Sequence, residues 1–278
     1  MLIEGLRIAN ERNEVLKTKI LNDINNGDKR PNATIILVGN NPASEVYVNS
    51  KIKASSKVGI ESNLIRLDSN ITDIELENTI NALNRDNNVD GILLQLPLPK
   101  HLNEKKFINL IDVKKDIDGF TLINQGNLFQ GEPCVNAATP QGIINLLEAY
   151  NIDVKGLNAV VIGRSQIVGL PIAKMLLDRH ATVTVCHSRT KDLSLFTKSA
   201  DLIIVAVGIP KLLKEDMVKE GVIVIDVGIN RVDGKLIGDV DFETVSLKAK
   251  FITPVPKGVG PMTINALLEN TYKVSKNK

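Results

Sequence analysis

The chain has 278 residues, of which 43% are hydrophobic and 24% are charged, and its formal net charge is +2. This length suits two domains with packed cores, and the composition excludes a disordered chain. The small net charge excludes an extended basic surface for nucleic acid or for an acidic membrane.

The first half of the chain alternates apolar, strand-like runs with helical stretches, which is typical of a parallel sheet covered by helices. Asn41 and Pro42 suit the start of one of these helices, and Gly59 suits its end. The predicted elements are the helix Ile8–Ile24, the strand Thr34–Val38, the helix Ala43–Val58, the strand Asn63–Leu67, the helix Asp73–Leu83 and the strand Gly91–Leu96.

A second series begins after Asp116–Ala138, a loop-rich stretch that holds three glycines and shows little periodic pattern. Its predicted elements are the helices Pro140–Tyr150 and Ile167–Leu177, the strands Ala159–Ile162, Thr182–Cys186, Leu202–Val207 and Val222–Val227, and a C-terminal helix Thr263–Val274. We therefore expect an α/β fold with two domains, residues 1–138 and 139–262, and a cleft between them. By pattern alone the last helix could pack on either domain.

The positions of the cysteines and histidines, and the lengths of the apolar runs, limit which classes of protein remain possible. Cys134 and Cys186 lie far apart, and the three histidines are scattered, so we expect free thiols in a reducing compartment and no metal site. No apolar run reaches the length of a membrane span and no secretory leader is recognisable. We expect a cytoplasmic protein.

A strand, a tight turn and a helix start follow one another at Val160–Gly169. In this geometry the N–H groups and dipole at the helix start can bind a pyrophosphate. The segment departs from G-x-G-x-x-G, because Ser165 and Val168 occupy the second and third glycine positions. The alternative is an ordinary strand–helix turn.

The residues after the next strand favour NADP over NAD. A site for NAD usually carries an Asp or Glu there, which binds the ribose 2′-OH. Here His187–Thr190 contains the hydroxyl of Ser188 and the cation of Arg189 but no carboxylate, and Arg164 lies on the preceding turn. Cations and hydroxyls suit a 2′-phosphate. The alternative is a capped surface turn.

One predicted helix places Ser44, Tyr47 and Lys51 on a single face. Burial would lower the pKa of such a lysine and let it exchange protons near neutral pH. The alternative is a lysine that extends its amine to solvent from the edge of an apolar stripe.

Two polar residues follow buried segments of the first domain. Gln95 closes a strand, and the carboxyl ends of strands in open α/β sheets face the ligand. Asp118 offers two oxygens that could accept a pair of ring N–H donors. The alternative for Asp118 is an ordinary loop carboxylate.

Taken together, several segments carry a specific pattern: Val38–Lys51, Gly91–Pro99, Lys115–Phe120, Thr139–Gly142, Gly163–Pro171, Asp226–Asn230, Gly238–Val240 and Thr253–Thr263. They resemble, in order and over nearly the whole chain, the bifunctional methylenetetrahydrofolate dehydrogenase/methenyltetrahydrofolate cyclohydrolase family. The resemblance implies that NADP⁺ oxidises 5,10-methylenetetrahydrofolate to the methenyl form. Water then opens that form to 10-formyltetrahydrofolate in the same cleft.

The resemblance also implies roles for individual residues. Lys51 transfers protons in the hydrolysis and Gln95 orients it, while Tyr47 stacks on the folate rings and Asp118 holds the pterin N–H edge. The expected substrate contacts further include Ser44, Pro256, Gly258 and Gly260. The expected NADP contacts are Gly163, Arg164, Ser165, Ser188 and Ile229, to which the turn sequence adds Arg189.

The same resemblance implies a homodimer whose last helix, residues 263–278, packs on the first domain. Lys257 departs from the family pattern, because it stands where a glycine is usual. If that position needs a positive φ, lysine costs on the order of 1 kcal/mol. The alternatives are a shikimate dehydrogenase-like NADP enzyme, a folate dehydrogenase without the hydrolase activity, and a non-catalytic nucleotide-binding protein.

Overall fold

The computed structural model describes residues 1–277, which form two compact units. The first unit contains Glu11–Ala138 and the C-terminal residues from Ile264, and the second contains Met1–Asn10 and Thr139–Thr263. The sequence assigns residues 1–10 to the first domain, whereas in the structure they group with the second unit. The reason is a backbone hydrogen bond of 2.8 Å from Ile3 N to Ile252 O, with a bridge between Leu2 and Ile252.

The first unit contains a parallel sheet of three strands in the order β2-β1-β3. Its elements are α1 (Gly5–Asn25, from Glu11 on), β1 (Asn32–Val38), α2 (Pro42–Val58), β2 (Glu61–Leu67), α3 (Asp73–Arg85), β3 (Gly91–Leu94), α4 (Glu104–Ile108) and α5 (Leu122–Gln130). Six of the seven residues of β1 are buried, as expected for a central strand covered on both faces.

Helix α2 begins and ends as the sequence predicts. The Asn41 side chain accepts hydrogen bonds from Ala43 N and Ser44 N, which would otherwise lack partners at the helix start. Gly59 ends the helix with a left-handed φ of 90°. This helix carries Lys51, so its fixed ends help to define where the lysine lies.

The sequence prediction missed one helix in this unit and extended one strand too far. Asp116–Ala138 is rich in loop, as predicted, but the helix α5 also lies within it, with Thr121 as its N-cap and Gly131 in a left-handed conformation at its end. The strand predicted to reach Leu96 ends at Leu94. Beyond it Gln95 N still donates to Ile36 O, but Pro97 has no N–H with which to continue the ladder.

The second unit contains five parallel strands in the order β10-β7-β6-β4-β5. Its elements are α6 (Ala138–Ala149), β4 (Asn158–Ile162), α7 (Gly169–Leu177), β5 (Thr182–Cys186), α8 (Ser194–Thr197), β6 (Leu202–Val205), β7 (Ile223–Asp226), β8 (Asn230–Val232), β9 (Lys235–Ile237), α9 (Phe242–Val245) and β10 (Phe251–Ile252). The antiparallel pair β8–β9 was not predicted, and α7 begins at Gly169 instead of Ile167.

The last helix, α10, spans Val259–Ser275. Its residues Ala266 and Leu267 pack in the first unit's core with Leu37, Val48 and Leu93. The α/β architecture of two parallel-sheet units agrees with the fold class predicted from the sequence. Within the described residues no helix is long and apolar enough to cross a membrane.

Candidate active site

Lys51 and Gln95 are in direct contact in the first unit. Lys51 Nζ donates a 3.0 Å hydrogen bond to Gln95 Oε1. Gln95 Nε2 donates in turn to Leu96 O at 2.7 Å, so the amide turns its oxygen toward the lysine. The helix α2 and the end of β3 thus form an oriented amine–amide pair.

The charge of Lys51 is set by burial and by one carboxylate. Burial lowers the pKa of Lys51, and the negative charge of Asp118 opposes this shift. Burial raises the pKa of Asp118 to about 6, an effect that the positive charge of Lys51 reduces and that the charge of Asp116 increases. A lysine and an aspartate whose pKa values both shift toward neutrality are suited to proton exchange.

Tyr47 and Ser44 lie on the same helix but differ in exposure. Tyr47 is one turn before Lys51 and is 41% exposed, which leaves ring surface available for stacking. Burial of its hydroxyl raises the pKa of Tyr47. Ser44 is buried, so little of its side chain is accessible to a ligand.

Asp116 was not singled out from the sequence, yet it organises the loop that carries Asp118. Its carboxylate accepts hydrogen bonds from Gly119 N at 2.9 Å, Thr121 N at 2.8 Å and Asn124 Nδ2 at 2.9 Å. A signal for this role was available, because an Asp followed closely by a Gly is a common turn pattern.

Asn270 and Lys115 hold the same loop from other elements of the first unit. Asn270, on α10, donates to Ile117 O at 3.0 Å. Lys115 is buried and donates to Leu83 O at 2.8 Å and to Asp86 O at 2.7 Å, at the end of α3. These contacts fix the backbone on the N-terminal side of Asp118.

The turn after β4 fits a dinucleotide. Gly163 has a φ of 125°, and a Cβ added to it would lie 2.4 Å from Ala206 O. A Cβ added to Gly169 would lie 2.2 Å from Gly163 O. Both glycines are therefore required for the close approach of strand and helix that a phosphate-binding turn needs.

Ser165 has a clear local function in this turn. Its Oγ accepts hydrogen bonds from Val168 N and Gly169 N, each at 3.2 Å, and so gives partners to two N–H groups at the start of α7. Ser165 and Arg164 are exposed at this helix start. The side chain in the second glycine position is thus compatible with an ordered turn, and the residues present fit a pyrophosphate.

The turn after β5 lies beside this helix start. Ile162 pairs with Cys186, so the residues after β4 and β5 share one edge of the sheet. His187 N donates to Thr190 Oγ1 at 2.9 Å, and Arg189 N donates to His187 Nδ1 at 3.1 Å. Ser188 and Arg189 are exposed at its tip. The hydroxyl of Ser188 and the cation of Arg189, with no carboxylate in the same turn, suit the binding of a 2′-phosphate.

The remaining predicted residues also lie in the second unit. Ile229 follows β7 and is 43% exposed. Pro256 is exposed, whereas Gly258 is buried and a Cβ added to it would lie 2.3 Å from Pro254 O. Gly260 is partly exposed near the start of α10.

Lys257 has a φ of 80°, the positive value that makes glycine the favourable residue there.

Two family models match the chain. Residues 3–118 match the catalytic domain of tetrahydrofolate dehydrogenase/cyclohydrolase. Residues 137–278 match the NAD(P)-binding domain of the same enzymes. The two matches together cover most of the chain.

Similar proteins are known from several organisms. The bifunctional protein FolD of Acholeplasma laidlawii is 53% identical over 272 residues, which are 98% of this chain and 97% of that protein. The crystal structure of a FolD methylenetetrahydrofolate dehydrogenase/cyclohydrolase from Campylobacter jejuni is 53% identical, with a TM-score of 0.98 over 100% of this chain and 99% of that one. The Trypanosoma brucei enzyme, complexed with NADP cofactor and inhibitor, is 33% identical, with a TM-score of 0.95 over 100% and 97% of the chains.

Shikimate dehydrogenases are much more distant. The enzyme from Aquifex aeolicus is 13% identical, with a TM-score of 0.55 over 89% of this chain and 97% of that one. This likeness shows a shared fold alone. The comparisons therefore support the folate enzymes over the shikimate alternative.

Proposed function

Because the chain belongs to the tetrahydrofolate dehydrogenase/cyclohydrolase family, we propose that it is a bifunctional enzyme of one-carbon metabolism. It oxidises 5,10-methylenetetrahydrofolate to 5,10-methenyltetrahydrofolate with NADP⁺ and hydrolyses that product to 10-formyltetrahydrofolate. The observation that carries this proposal is the 3.0 Å contact between Lys51 Nζ and Gln95 Oε1 beside the charge of Asp118.

The oxidation makes few demands on acid–base groups of the chain. Bound NADP⁺ supplies the hydride acceptor. The lone pair of a folate nitrogen stabilises the carbocation that is formed, so the protein mainly has to align the substrate. In our proposal Tyr47 stacks on the folate rings, and the Asp118 carboxylate accepts hydrogen bonds from a pair of N–H groups of the folate. These two contacts orient the reacting carbon.

The hydrolysis requires proton transfer, which we assign to Lys51. Attack of water on the methenyl carbon forms a C–O bond and releases a proton, and breaking one C–N bond requires a proton on the departing nitrogen. A lysine with a lowered pKa can accept the first proton and supply the second. The remaining hydroxyl proton is released to water as the formyl C=O forms, so the overall reaction releases one proton. Gln95 holds the amine in position through its side-chain oxygen.

For the cofactor we propose contacts along the carboxyl edge of the second unit's sheet. Gly163 and Ser165 surround the pyrophosphate, and Arg164, Ser188 and Arg189 surround the 2′-phosphate. The exposure of both arginines and the absence of a carboxylate from residues 187–190 support NADP over NAD. Ile229 contacts the cofactor after β7, and Pro256, Gly258 and Gly260 contribute to the substrate side.

We also propose that the enzyme is a cytoplasmic homodimer. Cys134 and Cys186 are both free thiols, which suits a reducing compartment. In this proposal the exposed apolar residues Leu195 and Phe196 contribute to the subunit contact. Light scattering should give twice the 30.4 kDa mass of one chain. A monomer at every concentration would contradict the dimer.

One coupled assay tests the proposed function. The purified protein is mixed with methylenetetrahydrofolate and either NADP⁺ or NAD⁺, and the formation and decay of the methenyl product are followed together. We expect both steps, with NADP⁺ strongly preferred. Accumulation of the methenyl product without decay would indicate a dehydrogenase alone. A parallel reaction contains shikimate and NADP⁺ instead of folate, and oxidation of shikimate without any folate turnover would refute the proposal.

A further inference from the structure

Two buried carboxylates join the ends of neighbouring strands in the second unit. Asp226 is the last residue of β7, and Asp239 follows β9. The Asp226 carboxylate accepts hydrogen bonds from Gly228 N at 3.1 Å, Asp239 N at 2.9 Å and Val240 N at 3.0 Å. Asp226 therefore holds both the turn after its own strand and the backbone of the second aspartate.

Asp239 makes a second set of hydrogen bonds. Its Oδ2 accepts from Val207 N at 2.8 Å and Gly208 N at 2.9 Å, just beyond β6. Its Oδ1 accepts from Asn230 Nδ2 at 2.9 Å, just beyond the turn after β7. One carboxylate thus connects the carboxyl ends of two adjacent strands.

Two glycines make room for these carboxylates. A Cβ added to Gly228 would lie 2.1 Å from Cγ of Asp239. A Cβ added to Gly238 would lie 1.8 Å from Oδ2 of Asp226. Each aspartate therefore occupies the space left by the glycine beside the other, which explains why both sequence segments pair Asp with Gly. We name Asp226, Gly228, Gly238 and Asp239 the aspartate–glycine lock.

The lock contacts the segment against which the dinucleotide turn packs. The position of a Cβ on Gly163 is 2.4 Å from Ala206 O and 3.6 Å from Val207 Cγ1. Val207 is also a residue whose N–H is held by Asp239. Ile229, an expected cofactor contact, lies between two residues that the aspartates hold, Gly228 and Asn230.

We propose that the aspartate–glycine lock is a positioning device for NADP, which fixes the backbone of Val207–Gly208 and Gly228–Ile229 at the sheet edge where the cofactor binds. The inference rests on the proposed function for the identity of the cofactor. The carboxyl ends of strands in doubly wound sheets face the nucleotide, so rigid backbone there lowers the ordering cost of binding. A buried network whose carboxyl oxygens accept hydrogen bonds from the backbone of both strand ends provides that rigidity.

The test separates NADP binding from folate chemistry. Asp239→Asn removes the charge of Asp239 and replaces one of its two acceptor oxygens with an N–H donor, while Asp233→Asn, at an exposed residue of the same unit, is the matched control. By titration calorimetry we expect Asp239→Asn to weaken NADP binding about tenfold or more, because hydrogen bonds to a charged acceptor are lost. The KM for NADP⁺ should rise by a similar factor with a smaller change in kcat.

Hydrolysis of added methenyltetrahydrofolate needs no NADP and should remain at the wild-type rate in Asp239→Asn. Gly238→Ala displaces Asp226 and should weaken NADP binding in the same way, whereas Gly126→Ala, which has open space around its Cβ, should not. Asn230→Ala removes the single hydrogen bond that Asn230 donates to Asp239. If the other variants do not fold, weaker NADP binding in Asn230→Ala supports the inference and unchanged binding overturns it.

Unchanged NADP affinity in the folded variants would overturn the inference, as would equal losses of oxidation and hydrolysis. Wild-type turnover is measured in the same series and tests the proposed function separately. If the wild-type protein fails to act on folate, the calorimetric NADP affinities still decide whether the lock positions the nucleotide.

Discussion

Lys51 and Gln95 are 44 residues apart in the chain, and Lys51 Nζ lies 3.0 Å from Gln95 Oε1. Helix α2 supplies the amine, and the end of β3 supplies the amide. The second hydrogen bond of Gln95, to Leu96 O, fixes which of its atoms faces the lysine. This pair gives the most direct predictions for the hydrolytic step.

Lys51→Met should abolish hydrolysis of methenyltetrahydrofolate, because methionine fills the same space but cannot carry a proton. Loss of a positioned acid–base group typically costs about 10²- to 10⁴-fold in rate. Folate binding measured by calorimetry should persist. Lys53→Met, at an exposed position of the same helix, is the control and should hydrolyse normally. If Lys51→Met hydrolysed methenyltetrahydrofolate at the wild-type rate, Lys51 could not be the proton-transfer residue.

Gln95→Glu should shift the pH dependence of hydrolysis upward. A carboxylate in place of the amide oxygen would stabilise the charged form of Lys51 and raise its pKa, so the neutral amine would appear only at higher pH. Gln95→Met removes the acceptor without adding charge and should reduce the rate without that upward shift. The check is a pH–rate profile of both variants; identical profiles would argue against an amine–amide pair.

Protonation of Asp118 should weaken folate binding at acidic pH. Burial raises the pKa of its carboxyl to about 6, so the fraction that is ionised falls as pH decreases through 6. A protonated carboxyl accepts hydrogen bonds less well, and the KM for folate should therefore rise below pH 6. Asp118→Asn should have a high KM at every pH and lose this dependence. If the KM for folate still rose below pH 6 in Asp118→Asn, that rise would be due to another titrating group.

Arg164→Ala should weaken NADP binding much more than NAD binding, since only NADP carries the 2′-phosphate. Removing one charge-assisted contact of this kind costs about 1.5 to 3 kcal/mol, or roughly tenfold to a hundredfold in affinity. Arg231→Ala, an exposed arginine of the same unit, provides the control. Equal losses of affinity for NADP and NAD would mean that Arg164 does not contact the 2′-phosphate.

Lys257→Gly should stabilise the protein. Lys257 adopts a φ of 80°, where a side chain costs about 1 kcal/mol relative to glycine. The midpoint of urea unfolding should rise accordingly. Lys257→Ala removes the amine but keeps a Cβ, so it should show little of this gain. A gain of equal size in Lys257→Ala would place the effect in the side chain instead of the backbone.

Helix α5 shows why part of the fold could not be read from the sequence. Its caps were visible, since Thr121 and Gly131 are ordinary boundary residues. Its buried residue, however, is Asn124, which bonds to Asp116 Oδ2 and accepts from Val135 N. A helix held through a buried amide has no apolar periodicity, and periodicity was the signal on which the prediction depended.

The sequence by itself determined the fold class and most strands and helices, because buried strands, capped helices and required glycines depend on local composition. It also indicated Lys51, Gln95 and Asp118, whose polar side chains stand out against apolar surroundings. Only the tertiary structure decided that the Lys51 amine contacts the Gln95 amide and that the Asp239 carboxylate holds the backbone beyond β6. Those relationships depend on space and hydrogen bonds between residues distant in the chain, which no local pattern records.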